Sequence, residues 1–515
     1  MQIVLKNKTI ILMSLVILLS SSSFFLPDYL VEKLQTNNFN DAQLSFAERL
    51  ALVKAFEIKQ SQQIVGSRQW LFYTTKLAKF KGQAAFELAQ FYLPIAQNTQ
   101  PQKLTNVMIE KGVFWYRQAI RLKDEPATLA LAYWYFSQKK LNKANELIDS
   151  LSLKTPESSV LKAKVVIEKG VDSRFERKTL TDQIPLLALS EQGKLLIKAI
   201  QRYQILPSDN IATNRGQLFV PSCAASIQFF ATSLADLYKS EQLLRDFKEH
   251  RLSEFVCFSP VRYRSIKKVK CSSKPTLAFK CDESQWLTIA DDINTRFVGV
   301  MLPQGGANVH LGMLYIDRQD SRDVFAHEIS HLLGFIDEYP LPANHQKCLQ
   351  IQTHTFSENI AVLANGYLGK QEEVRAKILK QLSWGESIKI TTPILHRKNV
   401  NKDEGKQIWL LGTPKKYNNQ VGVFASESCD NSPQQAYKPV FFQTQLRYNN
   451  KLFPKVYSRF LREHALKFLM PSFHYNIALA LKSQQSTSLA KVWFNKSAAF
   501  EHENRRRNKV LTATF

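Results

Sequence analysis

The sequence predicts an α+β protein made of an N-terminal α-helical repeat region and a following domain of mixed sheet and helix. Three observations carry that reading. Over residues 41–206 small and aromatic side chains recur at three- and four-residue spacing with few Pro or Gly interruptions, the period of helices that bury one stripe. Beyond residues 207–221, a stretch of polar and turn residues, strand-length apolar runs replace that period, and all six cysteines lie there, from Cys223 to Cys429. Within this second part His327-Glu328-Ile329-Ser330-His331 sets two imidazoles one helical turn apart.

A chain of 515 residues is longer than one hydrophobic core usually organises, so two or three domains are expected. With 44% apolar residues and only 17 Gly and 19 Pro, the composition excludes a disordered or fibrous chain. Lys and Arg exceed Asp and Glu by 69 to 44, a net charge of +25 that favours anionic surfaces. No block of like charge is long, and the densest, Arg505 to Arg507 with Lys509, sits in the tail. A solvated basic surface is therefore the reading, and no nucleic-acid partner is expected.

The first 26 residues read as an export signal or a membrane anchor. Lys6 and Lys8 precede an apolar run over residues 9–19, followed by four serines and Phe24, Phe25, Leu26 and Pro27. Uncleaved, residues 9–26 are long enough to span a bilayer, so membrane association at this end stays open beside periplasmic or secreted release. Residues 27–206 form the helical region. Ala84, Ala85, Leu88, Ala89 and Tyr92 are echoed by Ala127, Leu129, Ala130, Ala132 and Tyr133, an offset that suits paired-helix repeats. Trp115 to Ala119, and then Asn142, Lys143, Ala144 and Leu147, resemble tetratricopeptide-like repeats, and Ala490 to Ala499 has the same look near the C-terminus. The resemblance implies a surface that recruits a protein partner; an ordinary helical bundle would bury the same stripe.

Residues 207–475 form the second domain, with an insertion at 354–437, and residues 476–515 add C-terminal helices and the basic tail. A helix is expected over 224–249, strands at 255–258 and 297–302, and a turn at Gly305-Gly306 into an extended stretch at 309–316. The histidine helix follows directly. Six cysteines confined to one part of an exported chain read as disulfides, among whose pairings we favour Cys271 with Cys281 and Cys348 with Cys429. No Cys-x-x-Cys is present to build a cysteine zinc site.

His327 and His331, at i and i+4, share one helix face and can grip one Zn2+ ion. Glu328 lies beside that face, placed to take a proton from metal-bound water and pass it to a leaving amine. Phe325, Ile329, Leu332 and Ile336 form the apolar side that anchors the helix. Gly334 can end the helix in the left-handed region, and Asp337 then follows, placed to swing back onto the metal.

The run from His327 to Asp337 resembles the extended zinc signature of the metzincin metallopeptidases, in the version with Asp as third ligand. The following Glu338-Tyr339 is similar to the ending seen in bacterial peptidases of the immunoglobulin A-cleaving type. The likeness covers about a dozen residues. It implies a zincin-type catalytic domain: a twisted mixed sheet with helices above the cleft, a peptide-binding edge strand within 309–316, and a methionine turn beneath the zinc. Met470 is the only methionine downstream of the motif, and its long separation means that the 354–437 insertion must form extra structure. Tyr475 or His474 is a candidate oxyanion donor, and an ordinary packed residue is the alternative for each.

Asp337 as third ligand leaves the site a residual charge of +1, still able to acidify water. The alternatives are Glu338, adjacent, and Glu358 or Glu372 from a later segment. The implied activity is hydrolysis of a peptide bond in a protein or peptide substrate. Two other functions stay open: a catalytically degenerate repeat scaffold of the cell envelope, and a zinc amidase acting on cell-wall material.

Overall fold

The computed structural model describes residues 46–94, 105–206, 223, 225–272, 278–397, 408–464 and 467–515. The expected signal or anchor at 1–26 and the whole of the expected boundary at 207–221 lie outside the described residues. No described helix is long and apolar enough to cross a membrane. The chain divides into two compact units, Met1–Val165 with Asp182–Lys194, and Val166–Thr181 with Leu195–Phe515.

The N-terminal region is all-helical. Its elements are α1 (Phe46–Ser61), α2 (Arg68–Leu77), α3 (Gly82–Tyr92), α4 (Asn106–Arg121), α5 (Glu125–Ser137), α6 (Leu141–Asp149), α7 (Pro156–Lys169), α8 (Arg174–Thr181), α9 (Ile184–Leu187) and α10 (Glu191–Arg202). From α1 to α6 each helix packs on the next. The seam is built from the small residues the sequence repeats: Ala84, Ala85, Leu88 and Ala89 on α3, Ala119 on α4, and Ala127, Leu131 and Ala132 on α5 are all buried. A Cβ at Gly112 would collide with Leu93, so α4 crosses the end of α3 at close range. Helix starts carry their own acceptors: Ser67, Thr105 and Asp124 cap α2, α4 and α5 by accepting from the N–H groups of Trp70, Met108 and Ala127.

The second unit is a mixed α/β region. Its main sheet contains β1 (Ala225–Ala231), β2 (Val256–Phe258), β3 (Arg262–Tyr263), β6 (Phe297–Leu302), β7 (Asn308–His310) and β8 (Met313–Asp317), in the order β2-β1-β6-β8-β7 with β3 also pairing β1. The inner pairs are parallel, while β7 runs antiparallel to β8 at one edge. The edge strand expected across 309–316 is thus corrected: only Val309 and His310 of that stretch lie in the edge strand β7, and Met313 to Ile316 belong to the inner strand β8, because the chain turns between them. Helix α11 (Leu234–Phe247) follows β1. The sequence expectation of one helix over 224–249 is thus corrected at its start. Ala225 to Ala231 is buried along its whole length, and a central strand covered on both faces shows no alternation that would separate it from helix.

Alternate residues of the sheet serve two cores. Phe230, Val298, Val300, Met313 and Tyr315 join Trp286 and the C-terminal helices α16 (Phe473–Ser483) and α17 (Thr487–Ala498), while Phe229 reaches Phe325 in α12 (Arg322–Leu332) on the other face. There Gly299 leaves room for the Phe229 ring, which a Cβ would strike. The short hairpin β4 (Cys271–Ser272) with β5 (Lys280–Cys281) flanks this sheet region in sequence.

Beyond α12 the chain continues through further helices and two small sheets. It contains α13 (Gln346–Leu349), α14 (Gln371–Gln381) and α15 (Lys455–Glu463), one small sheet of β9 (Ala361–Leu363), β13 (Phe424–Ser426) and β14 (Gln435–Lys438), and another of β10 (Gly366–Leu368), β11 (Leu395–Arg397) and β12 (Ile408–Leu411). Disulfides join Cys223 to Cys257, Cys271 to Cys281 and Cys348 to Cys429, the last two as favoured from sequence. Three disulfides argue for an oxidising, extracytoplasmic location.

Candidate metal centre

Strand β8 delivers the chain to α12, whose Ser321 cap accepts from the Val324 N–H. Phe325, Ala326, Ile329 and Leu332 bury the inner side of this helix, which fixes the opposite presentation of His327 and His331. Gly334 ends the helix with φ +97, and a Cβ there would lie 2.5 Å from the Phe468 carbonyl oxygen, so both conformation and space demand glycine. The chain then folds back through a pinned turn. Asn359 donates to the Ile336 carbonyl and accepts from its N–H, both at 2.9 Å, and Ser428 donates to the Asp337 carbonyl at 2.6 Å.

These anchors bring three donor atoms together. His327 Nε2 and His331 Nε2 are 3.1 Å apart, and Asp337 Oδ1 lies 3.1 Å from the first and 3.2 Å from the second. Four ligands at zinc-like bond lengths around a tetrahedron stand about 3.3 Å from one another. The observed triangle matches one face of such a tetrahedron. Among the described residues this is the one group of three or more His, Cys, Asp or Glu side chains gathered closely enough to hold a metal ion. Oδ1 of Asp337 is buried without a hydrogen-bond partner of its own, as a ligand oxygen would be.

Outer contacts orient both rings. His327 Nδ1 faces the Gln445 carbonyl at 2.9 Å, and His331 Nδ1 faces the Phe335 carbonyl at 3.1 Å. A carbonyl at Nδ1 requires the proton there and turns Nε2 to the cluster, as the atom that takes a metal ion or a second proton. Gln445 in turn donates to the Asp323 carbonyl at 3.0 Å, tying this segment to the start of α12.

Charge follows from the same geometry. Burial would depress His331, but the Asp337 carboxylate beside it wins and raises the imidazole to about 10. Burial would raise Asp337, but the two imidazoles hold it well below the usual carboxylate range. The group thus binds positive charge strongly. Glu328 is buried next to it, and burial raises its carboxyl against the opposing pull of His331 and His327.

The other residues singled out in the sequence go elsewhere. Glu338 is buried, with its carboxylate on Lys438 Nζ at 2.7 Å, the Tyr457 hydroxyl at 2.5 Å and the Asn359 amide at 3.3 Å. Glu358 pairs with His464 at 2.5 Å, and Glu372 stands exposed in the first turn of α14. Tyr475, 2% exposed, packs against Phe494 and Phe515 and accepts from the Phe515 N–H, and His474 lies between Trp493 and Phe500. Both are core residues of the C-terminal helices. Met470 does come against the metal helix, for its N–H donates to the Leu332 carbonyl at 2.9 Å. Its own carbonyl accepts from Arg296, which is bound to Glu501.

Sequence reasoning missed Gln445, which acts through a carbonyl that any residue carries, and Lys438, whose partner Glu338 was read as a possible ligand. It also assigned no role to Tyr339. That ring lies nearly parallel to the His327 ring, 6.5 Å between centroids, and burial and then the Asp337 charge push its hydroxyl pKa up. Only its position in the run Asp337-Glu338-Tyr339 could have signalled it.

No known family model, curated protein or solved structure matches the chain.

Proposed function

We propose that this chain is an exported zinc metallopeptidase, with His327, His331 and Asp337 as the ligands of one Zn2+ ion and Glu328 as general base. The reading is supported most directly by three donor atoms standing 3.1 to 3.2 Å apart beside a buried carboxylate that follows the first histidine. The likeness of the His327 to Asp337 run to the metzincin signature agrees with it.

When bound, zinc supplies Lewis acidity to the scissile carbonyl and lowers the pKa of a water ligand. Burial raises Glu328, so its carboxylate is a stronger base than an exposed one. Glu328 takes one proton from the attacking water as the oxygen bonds the carbonyl carbon, then returns it to the amine nitrogen as the C–N bond breaks. His327 and His331 are held by the Gln445 and Phe335 carbonyls and need not reorient during these steps. The antiparallel edge strand β7 would be the place for an extended peptide to add to the sheet, and the N-terminal helices would recruit a partner or substrate.

The test is turnover of casein and of mixed peptides by the purified full chain, with metal content measured in parallel. Glu328→Gln keeps the ion and loses activity by about 10²–10⁴-fold. Equal turnover by that variant refutes the mechanism. Turnover of purified peptidoglycan in place of protein would reassign the substrate to cell-wall material, and a metal-bearing chain inactive on both would support the scaffold reading.

A further inference from the structure

A main-chain carbonyl orients a metal-ligating imidazole only if its own direction is fixed, and any residue type carries one, so the fixing has to come from elsewhere. For His327 the carbonyl is that of Gln445, a residue 2% exposed whose side chain is held at both ends. Its amide nitrogen donates to the Asp323 carbonyl at 3.0 Å, and its amide oxygen faces Nε2 of His250 at 3.1 Å. His250 lies just beyond α11, well away in sequence from the histidine helix and the turn that follows it.

Each polar atom of this relay has one assignment. The Leu252 N–H donates to His250 Nδ1 at 3.2 Å, so that nitrogen is the unprotonated one and Nε2 carries the hydrogen toward Gln445. The Gln445 nitrogen is committed to a carbonyl, which leaves its oxygen to accept from His250. Burial holds the imidazole below its usual range and so keeps it neutral at pH 7. Packing then leaves the ring little freedom, for it stacks on Phe247 at 5.7 Å and 20° and meets Phe453 edge-on at 5.9 Å. Phe453 in turn touches Phe335, 5.3 Å between ring centroids, and the Phe335 carbonyl is the one that holds His331. The segment from Gln445 to Phe453 is closed by the Gln445 N–H on the Leu452 carbonyl at 3.3 Å, and anchored by Arg251, which donates to the Phe453 carbonyl at 2.6 Å.

We propose that His250 is a positioning residue of the metal centre: through the Gln445 side chain it fixes the carbonyl that orients His327, and so sets the affinity and geometry of the site for its ion. The proposal rests on the reading of His327, His331 and Asp337 as ligands. With the Gln445 carbonyl loose, the His327 ring has to be ordered when the ion binds, and that ordering subtracts from affinity. It also explains why a residue that touches the cluster only through its main chain is a glutamine, since the amide is what ties the carbonyl down on two sides.

The experiment uses the full chain as wild type, His250→Leu, Gln445→Leu, the double variant and His250→Gln. Leucine keeps an apolar side chain between Phe247 and Phe453 and removes both nitrogens, while Gln445→Leu removes the amide and leaves the carbonyl. Zn2+ affinity is read by competition with a chromophoric chelator, site geometry by the visible absorption bands of the Co2+-loaded protein, and folding by the melting of the metal-free form. Each single Leu variant should weaken Zn2+ binding by about 10–100-fold and change the Co2+ bands. The double variant should lose no more than the larger single loss, because both changes break one relay, and His250→Gln, which restores a donor, should recover most of the affinity. Affinity and Co2+ bands equal to wild type in His250→Leu overturn the proposal, whether or not its melting temperature falls, and so do two single losses that add in full. Should His250→Leu fail to fold, Gln445→Leu decides by the same two readings. A wild type that takes up neither ion is a different failure, that of the ligand reading itself, and the inference falls with it.

Discussion

Replacing Lys438 by Met tests how the turn that carries Asp337 is held. Lys438 and Glu338 have side chains 8% and 0% exposed, and their charged atoms are 2.7 Å apart. At an effective dielectric constant near 20, their attraction is about 6 kcal/mol before desolvation is counted. Removing the cation alone leaves Glu338 buried with only the Tyr457 hydroxyl and the Asn359 amide as partners. Breaking a buried pair in this one-sided way costs about 3–5 kcal/mol. For a unit of this size roughly 2 °C of Tm accompanies each kcal/mol, so Lys438→Met should melt ~6–10 °C below wild type. Joining it to Glu338→Gln removes the stranded charge and keeps an amide for Tyr457, so the double variant should melt above the single one. Thermal unfolding followed by circular dichroism at pH 7 reads both. A single variant within about 1 kcal/mol of wild type, or a double variant costing the sum of the two singles, refutes the reasoning.

Asp320 is raised by burial, then by the nearby Asp317 and Glu328 charges, from 3.8 to about 6. A folded-state pKa above the unfolded one gives stability that is whole below about pH 4 and lost as pH rises through about 6, so Asp320→Asn, its gain reduced by solvent screening, should add about 1 kcal/mol at pH 7 and nothing at pH 3, read by urea unfolding. Glu501 joins Arg296 to Arg506, which together hold the carbonyls of Met470, Leu469 and Lys467 under the metal helix. Glu501→Ala leaves two facing cations and should cost about 3–5 kcal/mol in the same assay, and Glu501→Gln less.

What was legible in the sequence was local. The i, i+4 histidines, the glycine that ends their helix and the aspartate after it lie within eleven residues; helical geometry pairs the imidazoles, while Asn359 and Ser428 from outside the run pin the turn that seats Asp337. The stripe of small residues in α3 and α5 was equally plain, because helix-on-helix packing repeats its signature along the chain. Strand β1 was not, since an unbroken apolar run bounded by polar residues suits a central strand or a buried helix alike. Distant partners were the least accessible. Lys438 finds Glu338 across 100 residues, and the Gln445 carbonyl finds His327 across 118, through folding of a long intervening segment whose path no local pattern announces. Tyr475 misled for the same reason: proximity in sequence to Met470 does not place a side chain that points from α16 into the C-terminal core.

The central claim is that His327, His331 and Asp337 share one ion. Elemental analysis of the full chain after equilibration with zinc and dialysis tests it most directly, beside His331→Ala and Asp337→Ala treated identically. The account predicts one zinc per wild-type chain, removed by chelator and restored on readdition, and little or none in either variant. Wild type emerging without zinc, or Asp337→Ala holding it as tightly as wild type, would contradict it.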